Sequence, residues 1–219
     1  MIRLADLMSS CSRTRALFAL SAAIASLALG TGGCGSEGDD LERGVRVELE
    51  PVQGQILVRE PGEETFVTLA GAERMPVGTQ VDASKGTVQL TSARADGDTQ
   101  SGEFSRGEFE VEQLQGKDTV VLSLRGGDFG PCKTRAARLD ESTVGGPVIR
   151  NLFADAEGDF RTKGRFAAAT IRGTEWETVD ACFGTLTDVA AGEVTVTDLI
   201  QDRTVEVAAG GELWIARNP

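Results

Sequence analysis

Alternation of apolar and polar residues is the feature that most constrains the fold of this chain. From residue 45 onward, short runs rich in Val and Thr carry an apolar residue at every second position. Successive side chains of a strand point to opposite faces, so this period indicates strands with one buried face. The clearest runs are Val45-x-Val47-x-Leu49, Val67-x-Leu69, Val88-x-Leu90, Phe109-x-Val111, Val120-x-Leu122-x-Leu124, Val194-x-Val196 and Val205-x-Val207.

Turn-forming residues separate these runs. Gly, Pro, Asp or Asn occurs between them at intervals of about ten residues, and no window after residue 44 shows an apolar stripe with helical spacing. Short strands with regular turns predict an all-β domain over residues 45–217, built from antiparallel strands in a two-layer sandwich or roll.

A weak internal repeat relates the two ends of this domain. In both copies a β-run begins two residues after a glycine, and a second run begins thirteen residues after it. We interpret each copy as a β-arch half-repeat with its glycine at a tight turn or bulge, with a chance match of Val and Gly patterns as the alternative. The copies are Val52-x-Gly54-x-Ile56-x-Val58 with Val67-x-Leu69, and Ala190-x-Gly192-x-Val194-x-Val196 with Val205-x-Val207.

The middle of the chain differs in charge from the rest. Residues 133–172 contain eight basic and five acidic residues, and the stretch from Thr143 to Pro147 has the composition of an irregular turn. We therefore predict an irregular, loop-rich insertion over about residues 133–165.

The N-terminal residues 1–33 have the pattern of an export signal. Three arginines precede an uncharged run from Ala16 to Gly30, and small residues then lead to Cys34. Small residues before a cysteine are typical of a bacterial lipoprotein processing site, so we expect a lipid on Cys34 and a polar tether over residues 34–44. The lipid would be the chain's contact with the membrane. Thr31 stands where a Leu is usual, and a secreted protein is the alternative if lipidation fails.

The cysteine count agrees with export. Cys11 would be removed with the signal and Cys34 would carry the lipid, which leaves Cys132 and Cys182 as a pair. We predict a disulfide between them. Two free thiols that bind a metal or take part in redox chemistry are the alternative, although the pair lacks a CxxC spacing.

Composition argues against several classes of function. The chain contains no His and no Tyr, so it cannot form a Ser-His-Asp or Cys-His unit or a His-ligated zinc or copper site. Its net charge is −12, and removal of residues 1–33 changes this to −14. Such acidity argues against nucleic acid as a partner. We expect a protein that is not an enzyme and carries no cofactor.

Three groups of charged residues are candidates for chemistry. Arg161, Lys163 and Arg165 share one side of an extended strand, so they form either an anion-binding stripe or a charged edge strand that resists aggregation. The stretch from Asp96 to Glu103 has oxygen ligands at alternate positions, which fits either a calcium loop or a hairpin turn. Paired carboxylates of a glycoside hydrolase are the third possibility, and no pair stands out among so many acids.

Residues 168–216 carry the most specific pattern. An Ile-Arg-Gly-Thr motif is followed by a strand run, then by Gly-Glu-Val-Thr-Val and a closing Gly-Gly-Glu turn. This pattern resembles the FecR-type extracytoplasmic domain, and the resemblance extends upstream to residue 52. The matching positions are Arg172, Gly173, Thr174, Gly192 and Gly210.

The resemblance implies an all-β, non-enzymatic domain that works outside the cytoplasm. The sequence shows neither the anti-sigma region nor the transmembrane helix of the regulators for which this family is named, so only a binding or scaffolding role carries over. We therefore expect a lipid-anchored interaction domain at the cell envelope, with an envelope protein as its partner. The alternatives are a module that binds envelope glycans or anionic ligands, which predicts an exposed Trp176 or Trp214 in a groove, and a hydrolase.

Overall fold

A computed structural model describes residues 41–113, 115–133, 145–171 and 173–217. They form fifteen strands and a 3₁₀ turn at Pro131–Lys133, which confirms the predicted all-β class. In chain order the strands are β1 (Arg46–Arg59), β2 (Val67–Thr68), β3 (Glu73–Pro76), β4 (Gln80–Ala93), β5 (Thr99–Ser105), β6 (Glu108–Gln113), β7 (Val120–Arg125), β8 (Val148–Glu157), β9 (Phe160–Lys163), β10 (Ala167–Ile171), β11 (Thr174–Ala181), β12 (Gly184–Ala191), β13 (Glu193–Asp198), β14 (Arg203–Ala208) and β15 (Glu212–Ala216).

All fifteen strands belong to one hydrogen-bonded sheet that is bent into two layers. The bend lies in β1 and β4, because each of these 14-residue strands pairs with different neighbours in its two halves. Layer 1 contains β3, the first half of β1, the second half of β4, and then β5, β8, β11, β12 and β15. Layer 2 contains β2, the second half of β1, the first half of β4, and then β6, β7, β9, β10, β13 and β14.

The hydrophobic core lies between the two layers. Along β6, Phe109 and Val111 are fully buried while the intervening glutamates are not, as the period of two predicts. Across the core, the ring of Phe104 on β5 lies 5.6 Å from that of Phe160 on β9. Such aromatic pairs stabilise a core by about 0.5–1.5 kcal/mol beyond the area that they bury.

Gly54 permits the bend in β1. It lies directly opposite Gly86 on β4, and its φ of +73° falls in the left-handed region that favours glycine. A Cβ on Gly54 would overlap the carbonyl oxygen of Lys85, so the two backbones approach more closely than other residues allow. The first half of β1 therefore stays in layer 1 while the second half enters layer 2.

The two ends of the domain form the same β-arch. Chain crossing from layer 1 to layer 2 occurs at Gly54 within β1 and at Gly192 between β12 and β13. After the first crossing, β2 pairs in layer 2 and β3 pairs in layer 1. After the second, β14 pairs in layer 2 and β15 pairs in layer 1. The register also corresponds, because Val58 pairs with Val67 and, 138 positions later in the chain, Val196 pairs with Val205. The sequence repeat thus describes two real half-repeats.

One pair of neighbouring strands departs from the predicted antiparallel order. β7 and β9 are parallel, with Val121 opposite Arg161. The strand between them in sequence, β8, lies in layer 1 between β5 and β11. The chain reverses direction twice and returns to layer 2 beside β7, which explains the parallel pairing.

The prediction of an irregular insertion over about residues 133–165 is wrong for most of the described part of that range. Val148–Glu157 and Phe160–Lys163 are regular strands, and Leu152, Ala154 and Phe160 are fully buried. The inward positions of β8 include alanines, which give a weak apolar signal, and its outward positions include charges. Residues 134–144 of the predicted insertion lie outside the described residues.

Candidate functional site

A groove with a volume of about 550 Å³ lies over β7 on the outer face of layer 2. The groove exists because β7 carries short side chains, Val121 and Ser123. At the opposing positions, β6 carries glutamates and β9 carries Arg161 and Lys163, which are longer. The turn before β4 and the turn after β13 border it. The lining residues are Val77, Gly78, Glu110, Glu112, Gln113, Val121, Arg161, Lys163 and Leu199.

The two walls of the groove carry opposite charges. Glu110 and Glu112 on β6 form one wall, and Arg161 and Lys163 on β9 form the other. The acidic wall is partly neutralised, because Arg125 donates to Glu110 at 2.9 Å through both Nε and Nη2. Within the part of the chain that the structure describes, no carboxylate lies within ion-pairing distance of either cation of the basic wall.

Arg161 is the best-placed group for binding a ligand. Its Nε atom is buried and has no hydrogen-bond partner among the described residues. An unpaired buried donor costs about 1–3 kcal/mol, and a ligand in the groove does not change this cost because Nε has no accessible surface. Guanidinium groups also bind carboxylates through two parallel hydrogen bonds, so the chemistry here suits a carboxylate or phosphate.

Leu199 reaches the groove from a turn that Asp198 organises. Asp198 is 2% exposed, and its Oδ1 accepts hydrogen bonds from the backbone N–H groups of Ile200 and Gln201 at 2.8 and 3.0 Å. Loss of hydration opposes its ionisation, but these bonds and the nearby Arg203 guanidinium outweigh that effect and lower the pKa of Asp198. The turn that places Leu199 at the groove is therefore held by the ionised carboxylate of Asp198 and its two backbone hydrogen bonds.

The third predicted cation, Arg165, does not line the groove. β9 ends at Lys163, and Arg165 follows in the turn, where its backbone N–H donates to Asp180. Its guanidinium lies 4.7 Å from the ring centroid of Phe129, on a different part of the surface. The predicted stripe of three cations is therefore wrong for Arg165, because β9 ends two residues before it.

Asp180 is the centre of a buried polar network beside this turn. Its side chain is fully buried, and Arg150 Nε donates to Oδ2 at 2.8 Å. Oδ1 accepts the backbone N–H of Arg165 at 2.8 Å and the hydroxyl of Thr185 at 2.5 Å. Every one of these donors comes from a different strand or turn, so the network joins layer 1 to the end of β9.

The predicted disulfide between Cys132 and Cys182 is present. The two Cα atoms are 5.1 Å apart, and the bridge joins the 3₁₀ turn to the residue after β11. Phe129 and Phe183 pack against it, next to the Asp180 network. The bridge therefore fastens the chain between β7 and β8, which includes residues outside the described ranges, to layer 1.

Four positions of the FecR-like pattern meet at one end of the domain. Gly173, Gly192 and Gly210 occupy three neighbouring turns, with φ values of +138°, +71° and +77°. Gly192 packs on Thr174, since a Cβ on Gly192 would lie 2.5 Å from the threonine hydroxyl. The carbonyl of Gly192 also accepts the N–H of Ala209 at 2.9 Å. The three glycines therefore shape turns, and Thr174 begins β11 beside them.

Several predicted features lie outside the described residues. They include the signal at residues 1–33, the lipidation site Cys34, residues 34–40 of the tether, and Arg172 of the FecR-like pattern. The calcium candidate is described, and it is a hairpin turn in which Asp98 N–H donates to Asp96 at 3.1 Å. In the described part of the chain, no three Cys, Asp or Glu side chains are grouped as metal ligands.

One pair of carboxylates has the character that the hydrolase alternative requires. Asp82 on β4 lies directly opposite Glu108 on β6. Burial and, to a smaller extent, repulsion by Asp82 raise the pKa of Glu108 above 4.5. Among the described residues, neither carboxylate lines the groove over β7 or the shallower grooves beside β5 and beside β13.

The two tryptophans differ in position. Trp176 is fully buried, and its Nε1 donates to Thr162 across the core at 2.9 Å, as a core residue should. Trp214 is half-buried on the opposite face of β15 from Ile215, and it covers the backbone of Gly145 and Gly184. Neither ring forms a wall of the described grooves.

The acidic wall and the Asp180 network were not foreseen from the sequence. Alternation along β6 could have placed Glu110 and Glu112 on one face, but their position beside the basic wall depends on the parallel pairing of β7 with β9. The burial of Asp180 depends on Arg150 and Thr185, which no local pattern links to it.

No helix in the described ranges has the length and apolarity to span a membrane. No protein-family model matches the chain, and comparison with curated proteins and with solved structures also gives no match.

Proposed function

We propose that this chain is an exported, lipid-anchored and non-catalytic domain that binds another protein at the cell envelope. The observation that carries the proposal is the groove over β7, whose basic wall is formed by the partly exposed Arg161 and the exposed Lys163, neither with an ionic partner among the described residues. A rigid sheet presents this groove, and a disulfide supports an oxidising location outside the cytoplasm. The resemblance to FecR-type domains adds an expectation of a binding role.

A protein partner fits the groove better than a glycan. Carbohydrate sites commonly use an exposed aromatic ring as a platform, and the lining of this groove contains Val77, Val121 and Leu199 but no aromatic residue. The tryptophans that the glycan alternative requires serve in the core and against glycine backbone. Protein interfaces are enriched in Arg and have an apolar centre, so Arg161 beside Val121 and Leu199 fits a protein partner.

The hydrolase alternative has less support from the geometry. A glycosidase holds its two carboxylates about 5–9.5 Å apart on either side of a bound sugar, and therefore needs them in a cleft. Asp82 and Glu108 are neighbours on a sheet face outside the described grooves. Protein binding is accordingly the function that we propose, and anion binding by the basic wall is its closest alternative.

Crosslinking in intact envelopes tests the proposed function. We expect the full-length protein to form a discrete crosslinked adduct with another envelope protein, and we expect a surface-charge variant such as Lys163→Glu to reduce that adduct. A matched variant, Lys85→Glu, makes the same change at an exposed lysine on β4 away from the groove and should leave the adduct unchanged. Absence of any adduct in the wild type would contradict the proposal.

Membrane fractionation tests the lipid anchor separately. Cys34→Ala removes the proposed acceptor thiol, so the protein should move from the membrane fraction to the soluble fraction of the envelope. Cys11→Ala, within the signal, is the control and should not change the partitioning of the processed protein. Unchanged membrane association of Cys34→Ala would remove the anchor from the proposal.

A further inference from the structure

The distribution of charge in the groove favours one kind of occupant. We propose that the groove over β7 binds an extended acidic segment of a partner protein, in which two carboxylates are separated by one residue. Arg161 binds one carboxylate and Lys163 binds the other. This inference rests on the proposed protein-binding function and adds the chemistry of the partner.

The spacing of the two cations matches an extended peptide. Arg161 and Lys163 lie on the same face of β9, two positions apart. Alternate residues of a strand are about 6.6–6.8 Å apart, and so are side chains two positions apart in an extended peptide that runs along β9. A segment with the pattern acid–any–acid can therefore place one carboxylate at each cation. Adjacent acids would point to opposite sides and could satisfy only one of them.

The planar guanidinium of Arg161 makes this residue the main anchor. Its two Nη groups can donate in parallel to one carboxylate, and no carboxylate among the described residues forms an ion pair with this guanidinium. Lys163 is exposed and acts as a point charge, so its contribution is smaller. Replacing Arg161 should accordingly weaken binding more than replacing Lys163.

The other side of the groove restricts the sequence of the segment. Val77, Val121 and Leu199 provide apolar surface for aliphatic side chains that flank the acids. Glu112 on the far wall repels further carboxylates, and Glu110 is already engaged by Arg125. The partner segment thus carries acids on the side that faces β9 and apolar residues elsewhere. A single phosphate would use one cation only and would leave the apolar surface uncovered.

Fluorescence anisotropy with defined peptides tests this inference on the full-length protein in detergent. The probe is a fluorescein-labelled peptide with the sequence GVEVEVG, and the comparison peptides are GVQVQVG and GVEEVVG. We expect GVEVEVG to bind most tightly and its affinity to fall as salt increases. Arg161→Ala should weaken binding about tenfold or more, and Lys163→Ala about threefold. Arg161→Lys keeps the charge and should give an intermediate loss.

Two controls make the result decisive. Lys85→Ala should bind GVEVEVG like the wild type, and circular dichroism should show that all variants are folded. Equal affinity for GVEVEVG and GVQVQVG, or no loss in Arg161→Ala, would overturn the inference. Complete displacement of the peptide by inorganic phosphate would instead assign the site to small anions, and displacement by soluble peptidoglycan fragments would assign it to a glycan.

Failure of this inference can be separated from failure of the proposed function. If Arg161→Ala retains the crosslinked envelope adduct of the wild type, protein binding stands and the groove is not its site. If the wild type forms no adduct but binds GVEVEVG with the expected spacing preference, the groove binds acidic segments and the envelope role fails.

Discussion

At the scale of single residues, Asp180 shows how one buried carboxylate holds the end of β9 against layer 1. Replacing it with Asn keeps its volume but removes the charge that Arg150 requires, and the amide cannot accept all of the present donors. Loss of one partner from a buried ion pair costs about 3–5 kcal/mol. Because Arg150 keeps 18% of its side chain exposed, we expect the lower end, about 3 kcal/mol, in the free energy of unfolding measured with urea.

The matched change is Asp188→Asn, which removes an exposed carboxylate from the same β11–β12 hairpin. Asp188 lies opposite Glu177 and Glu212, so its removal relieves repulsion and should not lower the free energy of unfolding. Equal effects of the two substitutions would show that the Asp180 network does not stabilise the fold.

Glu108 predicts a dependence of stability on pH. Burial and repulsion by Asp82 raise its pKa in the folded protein above 4.5, so folding favours the protonated carboxyl. Its favourable contribution is present below the unfolded pKa and is lost as pH rises through the folded pKa. Glu108→Gln, which resembles the protonated form, should therefore be about 0.5 kcal/mol more stable than wild type at pH 7, the size of a cross-strand charge pair.

Thermal unfolding at a series of pH values checks this prediction. The stability advantage of Glu108→Gln over wild type should disappear below about pH 4, where Glu108 of the wild type is protonated and therefore uncharged like the glutamine. The exposed control Glu63→Gln should show no such trend. A variant that is less stable than wild type at pH 7 would mean that attraction to Arg59, Arg150 and Arg125 outweighs burial and repulsion.

At the scale of secondary-structure elements, the arch glycines control where strands leave one layer for the other. Gly54→Ala adds a Cβ that overlaps the backbone of β4 and forces an L residue into a φ of +73°. We expect a loss of about 3 kcal/mol in the free energy of unfolding. Gly97→Ala, at a hairpin turn with φ of +90° and open space around the glycine, should cost only about 1 kcal/mol. Equal losses would show that backbone strain alone matters at Gly54.

The elements also show how far the sequence predicts this fold. Alternation is a local signal, so it predicts strands such as β6 and β7, and the glycine spacing predicts both arches. Pairing of β7 with β9 is not local, because it depends on β8 crossing to the other layer. The groove follows from that pairing, since only then do Arg161 and Glu112 flank Val121. Arg161 and Lys163 could therefore be named from the sequence, but not the groove that they line.

At the scale of the whole molecule, the disulfide limits the entropy of the unfolded chain. Cys132 and Cys182 are 50 positions apart, and closing a loop of this length stabilises the folded state by roughly 4 kcal/mol in the chain-entropy model. A Cys132→Ala/Cys182→Ala double variant should lose about that much in urea unfolding. Reduction of the wild type should give a similar loss of stability. In the unreduced wild type, non-reducing electrophoresis should show no free thiol at either position. A loss below about 1 kcal/mol would contradict the prediction.

The outer face of layer 1 concentrates much of the acidity of the molecule. Glu103, Asp155 and Glu175 lie directly opposite one another on three adjacent strands, and none forms an ion pair within the described ranges. Like charges in such cross-strand positions are destabilising by about 0.2–1 kcal/mol for each pair. Asp155→Asn removes the central charge of the row and relieves both pairs at once.

We therefore expect Asp155→Asn to raise the free energy of unfolding by about 0.5–1 kcal/mol at low ionic strength. Salt screens repulsion between exposed charges, so the wild type should gain stability as salt increases and the difference between the two proteins should shrink. Thermal unfolding across a salt series measures both effects. Glu63→Gln, which removes an exposed acid from the turn after β1 and outside the paired strands, should show less gain because it interrupts no such row. If the Asp155→Asn advantage persists unchanged at high salt, its origin is local packing and not the summed charge of this face.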